Sequence, residues 1–136
     1  VTKKVIQNKM NPDPNGYPPS RILCIDDDVQ ILETLRIGLE TYGFCVISAS
    51  DGIEALNQFQ AHLEYIDAIV TDHDMPGMDG LQFLQAVRKI GFAGRIVVMS
   101  GNLSVKDLNS YQDLAVTGFF HKPFEVSLLA TMLLAD

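Results

Sequence analysis

Five short, almost continuously apolar runs, at residues 22–25, 44–47, 68–70, 96–99 and 118–120, alternate with five stretches of helical periodicity, at 29–42, 53–62, 81–90, about 105–115 and 126–134. Runs this short and rich in Ile, Val and Phe suit strands buried on both faces, which is how parallel strands read. Strict alternation of such strands with helices predicts an α/β fold: a doubly wound, five-stranded parallel sheet with helices on both faces. Gly43 stands where the first helix needs a left-handed residue to stop. On that helix, at 100° per residue, Ile31, Leu32, Leu35, Leu39 and Tyr42 share one face, whereas Val29 and Ile37 point away from it. The fourth helix is the weakest element, because Asn102, Asn109, Ser110 and Gln112 dilute its apolar stripe.

A chain of 136 residues predicts one domain, and 47% hydrophobic against 20% charged residues allows a sizeable core. With 10 Lys and Arg against 17 Asp and Glu, the net charge of -7 is opposite to the basic patch that grips a phosphate backbone, so direct nucleic-acid binding is not expected. No apolar run approaches the ~20 residues of a membrane span, and no secretory signal pattern is present, which predicts a soluble, cytoplasmic protein. Cys24 and Cys45 lie in apolar stretches without CxxC spacing or a His partner. Both read as small buried hydrophobes rather than as a disulfide or zinc ligands. Residues 1–20 differ in texture: they hold Pro12, Pro14, Pro18 and Pro19, Asn15-Gly16, and three lysines against the single acid Asp13. That stretch reads as a flexible linker or tail, and residues 21–136 as the folded domain.

All strands of a parallel sheet end on one edge, and ligands bind in the crevice beyond those carboxyl ends. The residues that follow the apolar runs are therefore the informative ones. They are Asp26, Asp27 and Asp28 after the first, Asp72, His73 and Asp74 after the third, Ser100 and Gly101 after the fourth, and His121, Lys122 and Pro123 after the fifth. Carboxylates gathered this closely repel one another unless a cation intervenes. Mg²⁺ fits best, since it takes one or two carboxylates and keeps positions for water and phosphate oxygens. Lys122 adds a point charge for a phosphate oxygen and Ser100 a hydrogen-bond donor.

Over about residues 21–134 the chain resembles the receiver domain of two-component response regulators. The resemblance rests on Ile22-Leu23-Cys24-Ile25-Asp26-Asp27-Asp28, Asp72-His73-Asp74-Met75-Pro76-Gly77-Met78-Asp79-Gly80, Val98-Met99-Ser100-Gly101 and Phe119-Phe120-His121-Lys122-Pro123-Phe124, in that order. It implies a flavodoxin-like sheet of strand order 2-1-3-4-5. It also implies that Asp72 is the phospho-acceptor, that Asp26 and Asp27 hold Mg²⁺ with Asp72 and the backbone carbonyl of Asp74, and that Lys122 and Ser100 serve the phosphoryl group. Ser100 and Phe119 then match the switch pair, Asp74 and Asn102 flank the water that limits the phosphoryl lifetime, and Pro123 follows a cis peptide bond. The donor implied is a phosphohistidine on a histidine kinase or histidine phosphotransfer protein. Output by self-association or an effector is implied for the face of the fourth helix, fifth strand and fifth helix. No turnover of an external substrate is expected. The domain is expected either alone or within a hybrid kinase or larger regulator, and the proline-rich start favours the second.

Each residue also has a plainer reading. Asp28 suits a helix cap, Gly77 a turn, and Gly80 clearance at a helix start. A single His without a partner at metal-ligand spacing reads as a solvent-facing neighbour, which is the expectation for His73. Phe120 is expected in the core by alternation, and Phe119 either there too or as the switch aromatic. Val29 reads either as a single exposed apolar residue, which needs no explanation, or, because it stands beside the crevice where a donor helix has to dock, as part of a partner surface. The rival functions are a haloacid-dehalogenase-type Mg²⁺ phosphatase, whose Asp-x-Asp motif sits on its first strand, and a degenerate receiver that only binds.

Overall fold

The structure is a computed structural model that describes residues 20–135. The tail expected at 1–20 thus lies outside the described residues except for Ser20, which is buried and accepts a hydrogen bond from the Cys45 N–H at 2.8 Å. The strands are β1 (Arg21–Ile25), β2 (Cys45–Ala49), β3 (Ile66–Asp72), β4 (Arg95–Ser100) and β5 (Gly118–His121). The helices are α1 (Val29–Thr41), α2 (Gly52–Ala61), α3 (Gly80–Ile90), α4 (Val105–Ser110) and α5 (Val126–Leu134). All strand pairs are parallel and the order is β2-β1-β3-β4-β5, as the resemblance implies.

Alternation along the central strands sends successive side chains to opposite cores. Leu23, Ile25, Ile69, Ile96 and Val98 join Ala55, Phe59, Phe83, Leu84 and Val87 of α2 and α3 on one face. Ile22, Cys24, Ala68, Val70, Val97 and Met99 join Leu32, Leu35 and Leu39 of α1 and Leu129, Ala130 and Leu133 of α5 on the other. That double demand is why β1, β3 and β4 read as continuous apolar runs. The edge strands depart from it. Most of β2 is half-buried, and β5 alternates half-buried with exposed residues, because helices cover a sheet's margins less completely. Cys45, expected in the core, is half-buried for this reason, while Cys24 is fully buried.

α1 stops one residue earlier than its periodicity suggests. The N–H groups of Gly43 and Phe44 donate to the carbonyls of Glu40 and Leu39 at 3.0 and 3.2 Å, closing a Schellman turn with Gly43 at φ +91. The turn carries Tyr42 off the buried face, and it is 40% exposed rather than core. Val29 and Ile37 are exposed as expected. The fourth helix is also shorter than 105–115: α4 ends at Ser110, and a 3-10 turn (Gln112–Leu114) follows Tyr111. None of its six helical residues is buried, so no apolar stripe extends it.

Candidate functional site

The three acids after β1 take three different roles. Asp26 is fully buried, and its Oδ1 accepts the Asp28 N–H at 2.9 Å. Asp28 caps α1, its side chain accepting the Gln30 N–H at 2.9 Å. Asp27 stays exposed at the rim. Across from them Asp72 closes β3, only 4% exposed, in the middle of the sheet. One carboxylate oxygen from each of Asp26, Asp27 and Asp72 lies within 4.8 Å of the other two. Lys122, just past β5, sets its Nζ 2.6 Å from Asp26 Oδ2 and 3.1 Å from Asp72 Oδ1. The Lys122–Pro123 peptide bond is cis.

Two buried carboxylates and a third at the rim share one ammonium, and the surplus of negative charge is felt locally. Burial and then the charge of Asp26 push the Asp72 carboxyl up to about 6, against the pull of Lys122. Burial works to lower the Lys122 ammonium, but its hydrogen bond to Asp26 and the charges of Asp72 and Asp26 outweigh this, and it titrates above its ordinary value. A cluster of hard oxygen donors, short of positive charge and open on one side through Asp27, fits a cation such as Mg²⁺.

The residues around Asp72 are held by the loop that follows. Gly77 turns it at φ +75. Gly80 starts α3 against Asp72 itself: a Cβ there would stand 2.3 Å from the Asp72 carbonyl oxygen, while its N–H donates to the His73 carbonyl at 3.1 Å. Only glycine lets α3 approach this closely. Ser100, buried at the end of β4, donates its hydroxyl to Asp74 Oδ2 at 3.2 Å and accepts the Asn102 N–H at 3.1 Å. Asp74 and Asn102 are both exposed beside the crevice.

His73 overturns its expectation. Its side chain is 12% exposed, with Nδ1 bonded to the Tyr111 hydroxyl at 2.5 Å and Nε2 facing Asp107 and Asp74 at 3.7 and 3.9 Å. It turns inward because Tyr111, at the end of α4 and only 1% exposed, offers a buried hydroxyl that needs a partner. Tyr111 is the residue that sequence reasoning missed. The signal available was a lone large aromatic among polar neighbours, Asn109, Ser110 and Gln112. Phe119 is 39% exposed and stacks edge-on against Tyr111 at 5.6 Å, so it is not core. Phe120 packs on the α1 and α5 side with Phe124 at 4.9 Å.

Beside the crevice a cleft of about 500 Å³ separates the start of α1 from the start of α5, lined by Asp28, Ile31, Leu35, Lys122, Phe124 and Val126. Val29, 67% exposed, stands at the start of α1. Among the described residues no helix is long and apolar enough to cross a membrane.

The sequence model of the response regulator receiver domain matches residues 22–134. The response regulator MprA of Mycobacterium sp. (strain KMS) is 36% identical over 115 residues, covering 84% of this chain and 49% of that protein. The transcriptional regulatory protein PrrA of Mycobacterium bovis is 34% identical over 114 residues, covering 84% and 48%. The chain thus spans about half the length of the curated relatives it matches. Among solved structures, the Vibrio cholerae chemotaxis protein CheY4 superposes with a TM-score of 0.78 at 29% identity, covering 85% of this chain and 96% of that one. The N-terminal domain of a Wolinella succinogenes protein, WS1339, gives 0.78 at 31% identity, covering 84% and 90%. A match that takes in every strand and helix, together with acids, hydroxyl and amine gathered at one sheet edge, settles the kinship: the chain belongs to the response regulator receiver domains, the signalling modules of two-component systems.

Proposed function

We propose that the chain accepts a phosphoryl group on Asp72 from a phosphohistidine of a histidine kinase or histidine phosphotransfer protein, with Mg²⁺ bound. The observation that carries this reading is the setting of Asp72, a buried carboxylate at the end of the central strand, 3.1 Å from the Lys122 ammonium and beside Asp26 and Asp27. A carboxylate attacks a charged phosphoryl group only where charge is neutralised and the groups are held in line. An Asp72 oxygen forms the new bond to phosphorus as the bond from phosphorus to the donor's imidazole nitrogen breaks. The imidazole leaves with the electron pair. Bound Mg²⁺, held by Asp26, Asp27, Asp72 and the Asp74 carbonyl, supplies charge neutralisation for the phosphoryl oxygens. Lys122 does the same from the side of β5.

The donor docks over Val29 and the cleft between α1 and α5, which opens beside Lys122. After transfer, the Ser100 hydroxyl leaves Asp74 for a phosphoryl oxygen and Phe119 turns inward, which alters the face of α4, β5 and α5. Val105, Phe119 and Leu128 are exposed on those elements and suit self-association or an effector. Complete switching from 1:99 to 99:1 takes about 5.5 kcal/mol of differential interaction, so the partner's binding completes a partial shift. A phosphatase of the haloacid-dehalogenase type is disfavoured, because Asp72 ends the third strand and not the first. The test is the intact mass after incubation with acetyl phosphate and Mg²⁺. A gain of one phosphoryl group that needs Mg²⁺ and disappears on brief alkaline treatment supports the reading; no gain, or an alkali-stable one, sinks it.

The lifetime of the phosphoryl group is assigned to Asp74 and Asn102, which stand exposed beside the crevice where an attacking water enters. An acid can orient that water or repel it, whereas an amide only hydrogen-bonds. Asp74→Asn is expected to change the decay rate of the phosphorylated chain while leaving its melting temperature within a few degrees, since exposed substitutions are usually worth about 0.5 kcal/mol or less. Slower decay means Asp74 orients the water, and faster decay means it repels it. Unchanged decay in both Asp74→Asn and Asn102→Ala removes the flanking role.

A further inference from the structure

The geometry points to Tyr111 as the coupling residue of the switch: its hydroxyl, bonded to His73, holds its ring in the interior site that Phe119 must enter, so the His73–Tyr111 bond sets the balance between resting and phosphorylated arrangements. This rests on the phosphoryl-accepting reading and deepens it. Three rings stand in series from the acceptor loop to the outer face of β5. The His73 and Tyr111 centroids are 5.5 Å apart, and those of Tyr111 and Phe119 are 5.6 Å apart. Tyr111 is 1% exposed and packs into the core on the α2 and α3 side, whereas Phe119 is 39% exposed above it. An interior at crystal-like density has no room for both rings in one site. Phe119 therefore turns inward only as Tyr111 yields, and Tyr111 yields only by breaking its bond to the residue next to Asp72.

The surroundings confine the motion to α4. With no buried residue of its own, α4 meets the acceptor loop through Tyr111 at its end and through Asp107, which faces His73 at 3.7 Å. Just beyond, Arg88 of α3 donates to the carbonyls of Leu114 and Ala115 at 2.8 and 3.0 Å, fixing the chain where Ala115 adopts φ +53. Release of Tyr111 thus frees the helix before it and leaves the connection after it braced. The contacts of the His73 ring fit a resting latch. Its Nδ1 is hydrogen-bonded to the Tyr111 hydroxyl, and its Nε2 faces Asp107 and Asp74 at 3.7 and 3.9 Å.

The experiment titrates isotope-labelled full chain with beryllofluoride, a phosphoryl analogue, at saturating Mg²⁺, following the backbone amides of residues 72–74 by NMR. Tyr111→Phe keeps the ring and removes the latch, so the analogue is expected to bind about 2- to 10-fold more tightly, the worth of one net hydrogen bond. His73→Phe is expected to act in the same direction, and the double variant to gain less than the product of the two single gains. Mg²⁺ affinity without the analogue stays unchanged, which separates coupling from a general loosening of the site. Unchanged or weaker analogue binding in Tyr111→Phe, or effects that multiply fully in the double variant, overturns the latch while the phosphoryl-accepting reading stands. Failure of the wild type to bind the analogue at all overturns that reading, and the latch with it.

Discussion

Asp72→Asn will gain no mass on incubation with acetyl phosphate and Mg²⁺ under conditions in which the wild type gains one phosphoryl group. The amide keeps the shape of the side chain but has no charged oxygen to offer phosphorus, and an acyl phosphate cannot form on it. Ser100 offers a hydroxyl at the same edge, but that hydroxyl is engaged with Asp74. Equal gains in wild type and variant would place the acceptor elsewhere. The same substitution has a consequence for stability that can be read without any donor. The Asp72 carboxyl titrates at about 6 in the folded chain against an ordinary value of 3.8, so the native state holds its proton more tightly than the unfolded chain. The contribution of Asp72 to the stability of the metal-free wild type accordingly falls as pH rises from about 4 to about 6 and stays lower above that. The interval corresponds to about 3 kcal/mol at most and, with screening by water in the open crevice, to about 1 to 2 kcal/mol. Asp72→Asn removes this penalty. Metal-free variant is expected to unfold at higher denaturant than wild type at pH 7, with the difference gone near pH 4, as urea titrations at the two pH values will measure.

The fold was legible because β1, β3 and β4 must satisfy two cores at once, and the only sequence that does so is a continuous apolar run. Strand edges and helix ends were less so. Tyr42 has the periodicity of the buried face of α1, yet the Schellman turn at Gly43 takes it out to solvent, and periodicity carries no information about where a turn redirects the chain. Cys45 reads like Cys24, and differs only because β2 is an edge, which depends on strand order and not on local composition. At the site, Asp26, Asp72 and Lys122 could be grouped in advance because the carboxyl ends of parallel strands have to meet. The division of labour within Asp26-Asp27-Asp28 was legible only at Asp28, through its capping role. His73 and Tyr111 lie 38 positions apart, and their bond depends on how α4, a helix with no buried face, is seated on the sheet. Nothing local to either residue encodes that contact.

Replacing both Asp26 and Asp27 by alanine is expected to weaken Mg²⁺ binding by more than about a hundredfold, as isothermal titration near neutral pH will register. Even partners one step removed from a metal are worth about 10- to 100-fold, and here two of the three clustered carboxylates go. The fold should survive. Removing one member of a buried ion pair is usually costly because the other is stranded, but Lys122 keeps Asp72 at 3.1 Å and is not left alone. Asp72 also loses the neighbouring charge of Asp26 that helps to raise it, so its carboxylate becomes easier to ionise. Besides the contact of Asp26 with Lys122 at 2.6 Å, the variant gives up the hydrogen bond from the Asp28 N–H to Asp26 at the entry to α1, whose own cap, Asp28 to the Gln30 N–H, remains. Far-UV circular dichroism should therefore match the wild type. Unchanged Mg²⁺ affinity in a folded double variant would mean that the cation is held elsewhere, and that the crowding of acids at the end of β1 serves the start of α1 alone. Loss of Mg²⁺ binding with the fold intact separates the two functions of the acidic run: Asp28 shapes the helix, and Asp26 and Asp27 face the metal.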